Sequence, residues 1–234
     1  MRSRSRLSLD DFADCPDAAS DVASDEICEQ IPRCHRPKQF LKRAIDLLGS
    51  IFLIVVLSPL FAVVALLIRV VDGAPIIYRR RVLGIQRHFD AYKFRTMCLG
   101  AEAMLAANTD LQKAYTQQFK LKADPRVTCL GAWLRRYSLD ELPQLFNVLK
   151  GQMSLVGPRM ITVLELGKYG RYQHLLRTVK PGLTGYWQVQ GRQNVSYAER
   201  VRMDVYYITH WSLLLDVVIL LRTPARVILG EGAY

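Results

Sequence analysis

Leu47 to Ile68 reads LLGSIFLIVVLSPLFAVVALLI, 22 residues without a charge. That is long enough for a helix to cross the hydrocarbon core of a bilayer. At its centre stand Ser58 and Pro59. Proline removes a backbone donor and clashes with the carbonyl four residues back, and a serine hydroxyl can satisfy the group so freed. The halves Leu47–Leu57 and Leu60–Ile68 have 11 and 9 residues. At ~1.5 Å per residue each reaches about half the hydrocarbon thickness. Both flanks are basic: Arg36, Lys38, Lys42 and Arg43 precede the run, and Arg69, Arg79, Arg80, Arg81 and Arg87 follow it. Positive charge marks the cytoplasmic side of a membrane segment. Two basic flanks therefore favour a helix that enters, breaks at Ser58-Pro59 and returns, over a single crossing, although prolines also kink crossing helices.

Outward from this segment the chain divides in three: an acidic tail over 1–37, a membrane hairpin over 38–72 and a catalytic domain over 73–234. The whole chain carries +11. Residues 1–35 hold four arginines against eight acids, a net of −4, which leaves +15 for the remainder. The tail has no apolar core of a secretory signal and reads as disordered. Five cysteines without CxxC spacing indicate neither a disulfide framework nor a zinc site. A body this basic suits an anionic membrane surface, phosphorylated substrates or nucleic acid, and charge alone does not separate them.

The body reads as mixed α and β, mainly helical (an α+β class). Pro75–Arg79 and Phe89–Phe94 have strand character, with Gly84 in the turn region between them. Leu99 to Lys122 reads as one amphipathic helix ended by Asp124-Pro125. Leu130–Arg136 and Leu142–Lys150 predict two more helices, and a Gly/Pro-punctuated, loop-rich region follows. The segment WSLLLDVVILLRTPARVIL, from Trp211 to Leu229, reads either as a core helix or as an amphipathic helix in the headgroup layer.

Chemistry concentrates in RRYSLDELPQLFNVLKGQMSLVGPR, Arg135 to Arg159. Pro143 confines the adjacent acids Asp140 and Glu141 to a helix start. One reading is purely local: Ser138-x-x-Glu141 fits a capping box, with both carboxylates favoured by the helix dipole. The other is a site for a metal-bound diphosphate. In it the acids hold a hard cation such as Mg²⁺ and Arg126, Arg135, Arg136 and Arg159 fork onto phosphate oxygens. A carboxylate among cations stays ionised and can attack phosphorus. A second cluster, Pro181 to Tyr207, offers Arg192, Asp204 and the aromatics Tyr186 and Trp187, which suit a core or a stacked base. Lys93-Phe94-Arg95-Thr96-Met97 is a third. No P-loop, GxGxxG, HExxH or GxSxG pattern occurs, nor any nucleic-acid-binding signature. A membrane-anchored binding protein would explain the hairpin and the charge, but not the clustering of Asp140 and Glu141 with arginines.

From about Lys42 to Tyr234 the chain resembles the monotopic phosphoglycosyl transferases, the bacterial sugar transferase family. The resemblance is carried, in order, by Lys42-Arg43-x-x-Asp46, Ser58-Pro59, KFRTM, DPR, SLDELPQLFNVLKGQMSLVGPR, KPGLTGYWQVQGR, MDVYY and WSLLLD. It is strongest to the exopolysaccharide-initiating galactose-phosphate transferases. The resemblance implies a UDP-sugar donor, an undecaprenyl phosphate acceptor, contact with membrane lipids and no nucleic acid, at the cytoplasmic face of the bacterial inner membrane. It implies that Asp140 is the nucleophile and a Mg²⁺ ligand, and that Glu141 handles a proton or the metal. Arg135, Arg159 and Arg192 would contact phosphate. Arg95, Asp204 and Asp216 match family positions placed at the substrate, and Ser58-Pro59 is the break that returns the helix. One departure stands out: the family usually reads GPRP where this chain has Gly157-Pro158-Arg159-Met160.

Overall fold

The computed structural model describes residues 36–118, 121, 124–190 and 195–229, all within one compact unit. Nearly all of the acidic tail and Arg192 lie outside the described residues.

The apolar run forms two helices, α1 (Arg36–Val56) and α2 (Ser58–Val71), joined at Leu57. Pro59 falls in the first turn of α2, where its missing N–H costs that helix nothing. In α1 the same proline leaves the carbonyl of Val55 without a backbone donor, and the Ser58 hydroxyl takes it at 2.8 Å. The halves do not continue straight. Arg43 donates to the carbonyls of Val148 and Leu149, while the ring of Phe61 lies 6.0 Å from that of Phe146. On a straight helix residues 43 and 61 would be about 27 Å apart, whereas their partners are two or three residues apart in sequence. The segment Pro37–Val71 is long and apolar enough to cross a membrane, and 11% of its most apolar window is buried in the protein. Its outward face is apolar, with Leu48 70% and Val70 74% exposed. A water-facing helix would not keep such a face.

Both ends of this segment are tied to the body. Lys42 donates to Val156 O and Asp216, and buried Asp46 accepts from Ser154 Oγ and Leu155 N. Past α2, Arg95 donates to the carbonyls of Asp72, Gly73 and Ala74. Val64 and Ile68 pack with Phe94 and Leu134 in the core.

Among the described residues the body holds two small sheets. β1 (Ile77–Val82) pairs antiparallel with β2 (Phe89–Phe94), so the first strand begins two residues later than its sequence pattern suggests. The expected long helix is two, α3 (Ala101–Ala107) and α4 (Thr109–Gln118). Asn108 is extended, and its side chain accepts from the amides of Asp110 and Leu111, capping α4 at the expense of continuity. There follow α5 (Cys129–Arg136), a 3₁₀ turn (Leu139–Glu141) and α6 (Gln144–Leu149), shorter than the expected 142–150 helix. β3 (Ser154–Val156) pairs in parallel with β4 (Gly182–Thr184), across α7 (Val163–Leu166), a 3₁₀ segment (Gly167–Tyr172) and α8 (Gln173–Leu176). α9 (Tyr186–Gln190), α10 (Tyr197–Thr209) and α11 (Leu213–Leu229) complete the chain. α11 has one buried and one exposed row. Asp216 and Ile219 are buried, whereas Leu214, Val217 and Leu221 present an apolar outer row.

Candidate active site

Asp140 reaches its position through a sequence of local constraints. Thr128 caps α5 by accepting from Gly131 N at 2.9 Å. A Cβ on Gly131 would stand 2.1 Å from Thr96 O, so only glycine lets α5 lie this close to the end of β2. That approach carries Arg135 Nε to Thr96 Oγ1 at 2.9 Å. Ser138 then turns through the left-handed region (φ 54°, ψ 23°), a strained conformation for a residue with a Cβ. The 3₁₀ turn after it buries Asp140.

The capping box expected at Ser138 and Glu141 does not form: Ser138 makes no capping bond. A cap residue needs extended dihedrals to aim its oxygen at the helix amides, and Ser138 has left-handed ones. Glu141 instead accepts from Lys93 Nζ at 2.6 Å, and the same ammonium stands 3.8 Å from Asp140 Oδ2. Burial pushes the Asp140 carboxyl up to about 6; Lys93 and Arg135 pull it down, and Glu141 adds to the rise.

Arg159 comes from the loop after β3. A Cβ on Gly157 would meet Lys180 O at 2.6 Å, and one on Gly182 would meet Gly157 N at 2.1 Å, so both glycines are required where the strands meet. The loop is held from behind by Asp204, whose Oδ1 accepts from Arg159 N at 3.3 Å and whose Oδ2 accepts from Tyr169 Oη at 2.7 Å. Asp204 is fully buried, and that burial pushes its carboxyl up to about 6 despite Tyr169, Arg200 and Arg159. The Arg159 guanidinium lies 5.1 Å over the ring of Trp187.

A cavity of about 1120 Å³ unites these parts. Asp140, Glu141, Lys93, Arg135, Arg159 and Trp187 line its polar side; Leu53, Leu57 and Leu60 at the helix break, with Leu220 and Val227 of α11, line an apolar side. Ion pairing separates its cations. Lys93 is engaged with Glu141, Arg126 with Asp124 at 2.7 Å, and Arg80 with the buried Glu165 at 3.0 Å. Among the described residues Arg135 and Arg159 form no ion pair, which leaves their guanidinium forks for an anion. No three His, Cys, Asp or Glu side chains converge as a metal cage among the described residues. Two adjacent carboxylates facing an anion site do fit Mg²⁺, which is commonly held by one or two carboxylates and completed by substrate phosphates and water.

The other residues singled out from sequence fall elsewhere. Arg95 reaches the cavity wall, yet its fork is spent on the turn after α2. Asp204 stands behind Arg159. Asp216 is bound to Lys42, Tyr207 and Trp211, away from Asp140. Ser58 and Pro59 mark the helix break whose neighbour Leu57 faces the cavity.

A family model described as bacterial sugar transferase matches residues 37–230. The chain belongs to the bacterial sugar transferase family. It is 44% identical over 207 residues to the undecaprenyl-phosphate galactose phosphotransferase of Salmonella typhimurium, covering 85% of this chain and 43% of that protein. It is 42% identical over 198 residues to the exopolysaccharide production protein ExoY of Sinorhizobium fredii, covering 82% of this chain and 88% of that one. To the undecaprenyl-phosphate glucose phosphotransferase of Komagataeibacter xylinus it is 37% identical, over 82% of this chain and 37% of the relative. The chain thus spans under half the length of the first and third of these proteins.

In this bacterial sugar transferase some residues at the site were not legible as members of it. Lys93 belongs to a visible motif, but its pairing with Glu141 spans 48 positions. Tyr169 and Glu165 sit in segments with no sequence signal for a site, and Arg200 lies in the second cluster without being singled out there; only the fold brings them to Arg159 and Arg80.

Proposed function

We propose that this enzyme transfers a sugar 1-phosphate, from UDP-galactose or UDP-glucose, to undecaprenyl phosphate. The products are a polyprenyl-diphosphate sugar and UMP, as the first membrane step of exopolysaccharide or other glycoconjugate synthesis. The observation that carries this reading is the cavity itself. A buried carboxylate and two arginines without ion pairs share one space with the apolar residues of the helix break.

In the first half-reaction an Asp140 oxygen attacks the phosphorus that bears the sugar. The bond from that phosphorus to the bridging oxygen breaks, and the electron pair leaves with UMP. In the second, an oxygen of the lipid phosphate attacks the same phosphorus and expels the Asp140 carboxylate. Arg135 and Arg159 hold the phosphate oxygens and offset charge gathering there. Lys93 favours the ionised form of Asp140 and orients Glu141 by their 2.6 Å bond. Asp140 and Glu141 would hold Mg²⁺ together with the donor phosphates, and the ion would supply charge neutralisation for the leaving nucleotide.

A re-entrant placement on the cytoplasmic face of the inner membrane accompanies this reading. Lys42 and Arg43 before the apolar segment and Asp72–Ala74 after it bind the same body. A body that grips both ends of a 22-residue apolar run favours return over crossing. The headgroup layer is also where a water-soluble nucleotide and a lipid phosphate meet. The domain division at 37 and 72 follows from the same reading.

The test is UMP release by purified protein in nanodiscs with Mg²⁺, undecaprenyl phosphate and a panel of UDP-sugars. Release should need the lipid acceptor, favour one sugar and fall about 10³-fold or more in Asp140→Asn. Equal release by that variant would remove Asp140 from the chemistry.

A further inference from the structure

Trp187 is flanked by two guanidinium groups, of which the active-site reading above uses one. Arg159 lies 5.1 Å over its ring and Arg200 5.5 Å over it; Arg200 also lies 3.9 Å over the ring of Tyr197. Among the described residues three N–H groups of this pair, Arg159 Nε and Arg200 Nε and Nη2, are buried without a hydrogen-bond partner, as is Trp187 Nε1. The neighbouring carboxylate is Asp204, whose two oxygens are taken by Tyr169 Oη and Arg159 N. Both guanidinium groups, on part-buried residues, lie beside a carboxylate that is already engaged, and three of their N–H groups are left over. An orphaned buried donor costs about 1–3 kcal/mol, more when charged. A fold keeps such a cost where a ligand relieves it.

We propose that Arg200, with Arg159 and Trp187, forms a phosphate subsite that takes the nucleoside-phosphate end of the donor and holds UMP as it leaves. This rests on the transferase reading above. The placement favours the nucleotide over the lipid phosphate, though both present phosphate esters. Arg200 is in the first turn of α10, seven residues before Tyr207, the residue of that helix that meets Lys42 of α1. Seven residues is about 10 Å along the axis, so Arg200 lies at the end of α10 remote from the membrane segment. Trp187, against which Arg200 lies, and Arg159 line the cavity that holds Asp140. A diphosphate can then lie with its sugar-bearing phosphorus at Asp140 and its nucleoside phosphate toward Arg200.

The test is equilibrium dialysis of labelled UMP against the full-length protein in detergent, with inorganic pyrophosphate and uridine as competitors. Arg200→Gln should weaken UMP binding about tenfold and leave the weak competition by uridine unchanged. Arg200→Lys should keep most of the affinity, and Arg177→Gln, at an exposed position, should do nothing. In turnover, donor KM and the inhibition constant of UMP should rise together while acceptor KM stays fixed. Wild-type UMP affinity in a folded Arg200→Gln protein would overturn the assignment, as would a rise in acceptor KM alone. Failure of the transferase reading looks different: no UDP-sugar would yield UMP in the wild-type protein, while Arg200-dependent binding is read without turnover.

Discussion

The hydroxyl of Ser58 donates at 2.8 Å to the carbonyl of Val55, the group that Pro59 leaves without a backbone donor. The helix therefore breaks at its apolar centre without exposing an unsatisfied carbonyl, which in hydrocarbon would cost several kcal/mol. Arg43 and Phe61, on either side of the break, both reach residues of α6. In a cysteine-free background, single cysteines at Lys38 and Arg79 should both react with an impermeant maleimide from the cytoplasmic side. Labelling from opposite sides would establish a crossing.

Asp140→Asn should make the protein inactive and, at neutral pH, more stable. Burial raises the folded carboxyl from its usual 3.8 to about 6. The folded state thus binds the proton more tightly than the unfolded one. Its stabilising contribution is complete below the unfolded value and lost as pH rises through about 6. The asparagine variant escapes the cost of burying the charge, on the order of 1–3 kcal/mol at pH 7.5. Its melting temperature should exceed that of the wild type there and converge with it near pH 4. A variant less stable at both pH values would contradict this account of the site.

The same shift sets the pH profile. A nucleophilic Asp140 must be ionised, so kcat/KM for the donor should fall as pH falls through about 6. Lys93, 3.8 Å from Asp140, is the largest influence holding that value down. Lys93→Met should move the acid limb to higher pH and lower the plateau roughly tenfold to hundredfold. A lowered plateau with an unmoved limb would confine Lys93 to orienting Glu141.

The apolar segment with its break and the Asp140 region were legible in sequence because each is local. Charge-free length and the Ser-Pro pair declare the first. Two adjacent acids a few residues after Arg135 and Arg136 declare the second. What stayed hidden depends on distance along the chain. Strands of three residues, β3 and β4, show no alternation to read, and their pairing depends on Gly157 and Gly182 permitting contact. Asn108 interrupts a regular helical pattern through one side chain, and Ser138 fits a capping motif whose backbone it does not adopt. Asp204 and Asp216 have the residue type expected of a site, but the fold fills their oxygens with Tyr169, Tyr207 and Lys42.

Asp216 gives the sharpest separation between holding the fold and binding substrate. Its Oδ2 accepts from Lys42 Nζ at 2.6 Å and Trp211 Nε1 at 3.1 Å, and its Oδ1 from Tyr207 Oη at 2.7 Å. The pair is largely buried and joins α1 to α11, both of which have apolar outer faces. Removing one partner strands the other charge, so Asp216→Leu should cost about 3 kcal/mol. Lys42→Met with Asp216→Leu should recover most of that loss, because no lone ammonium remains. Thermal unfolding in one detergent measures both, and donor KM should hardly change in the double variant. A large rise in donor KM with unchanged stability would instead return Asp216 to the substrate.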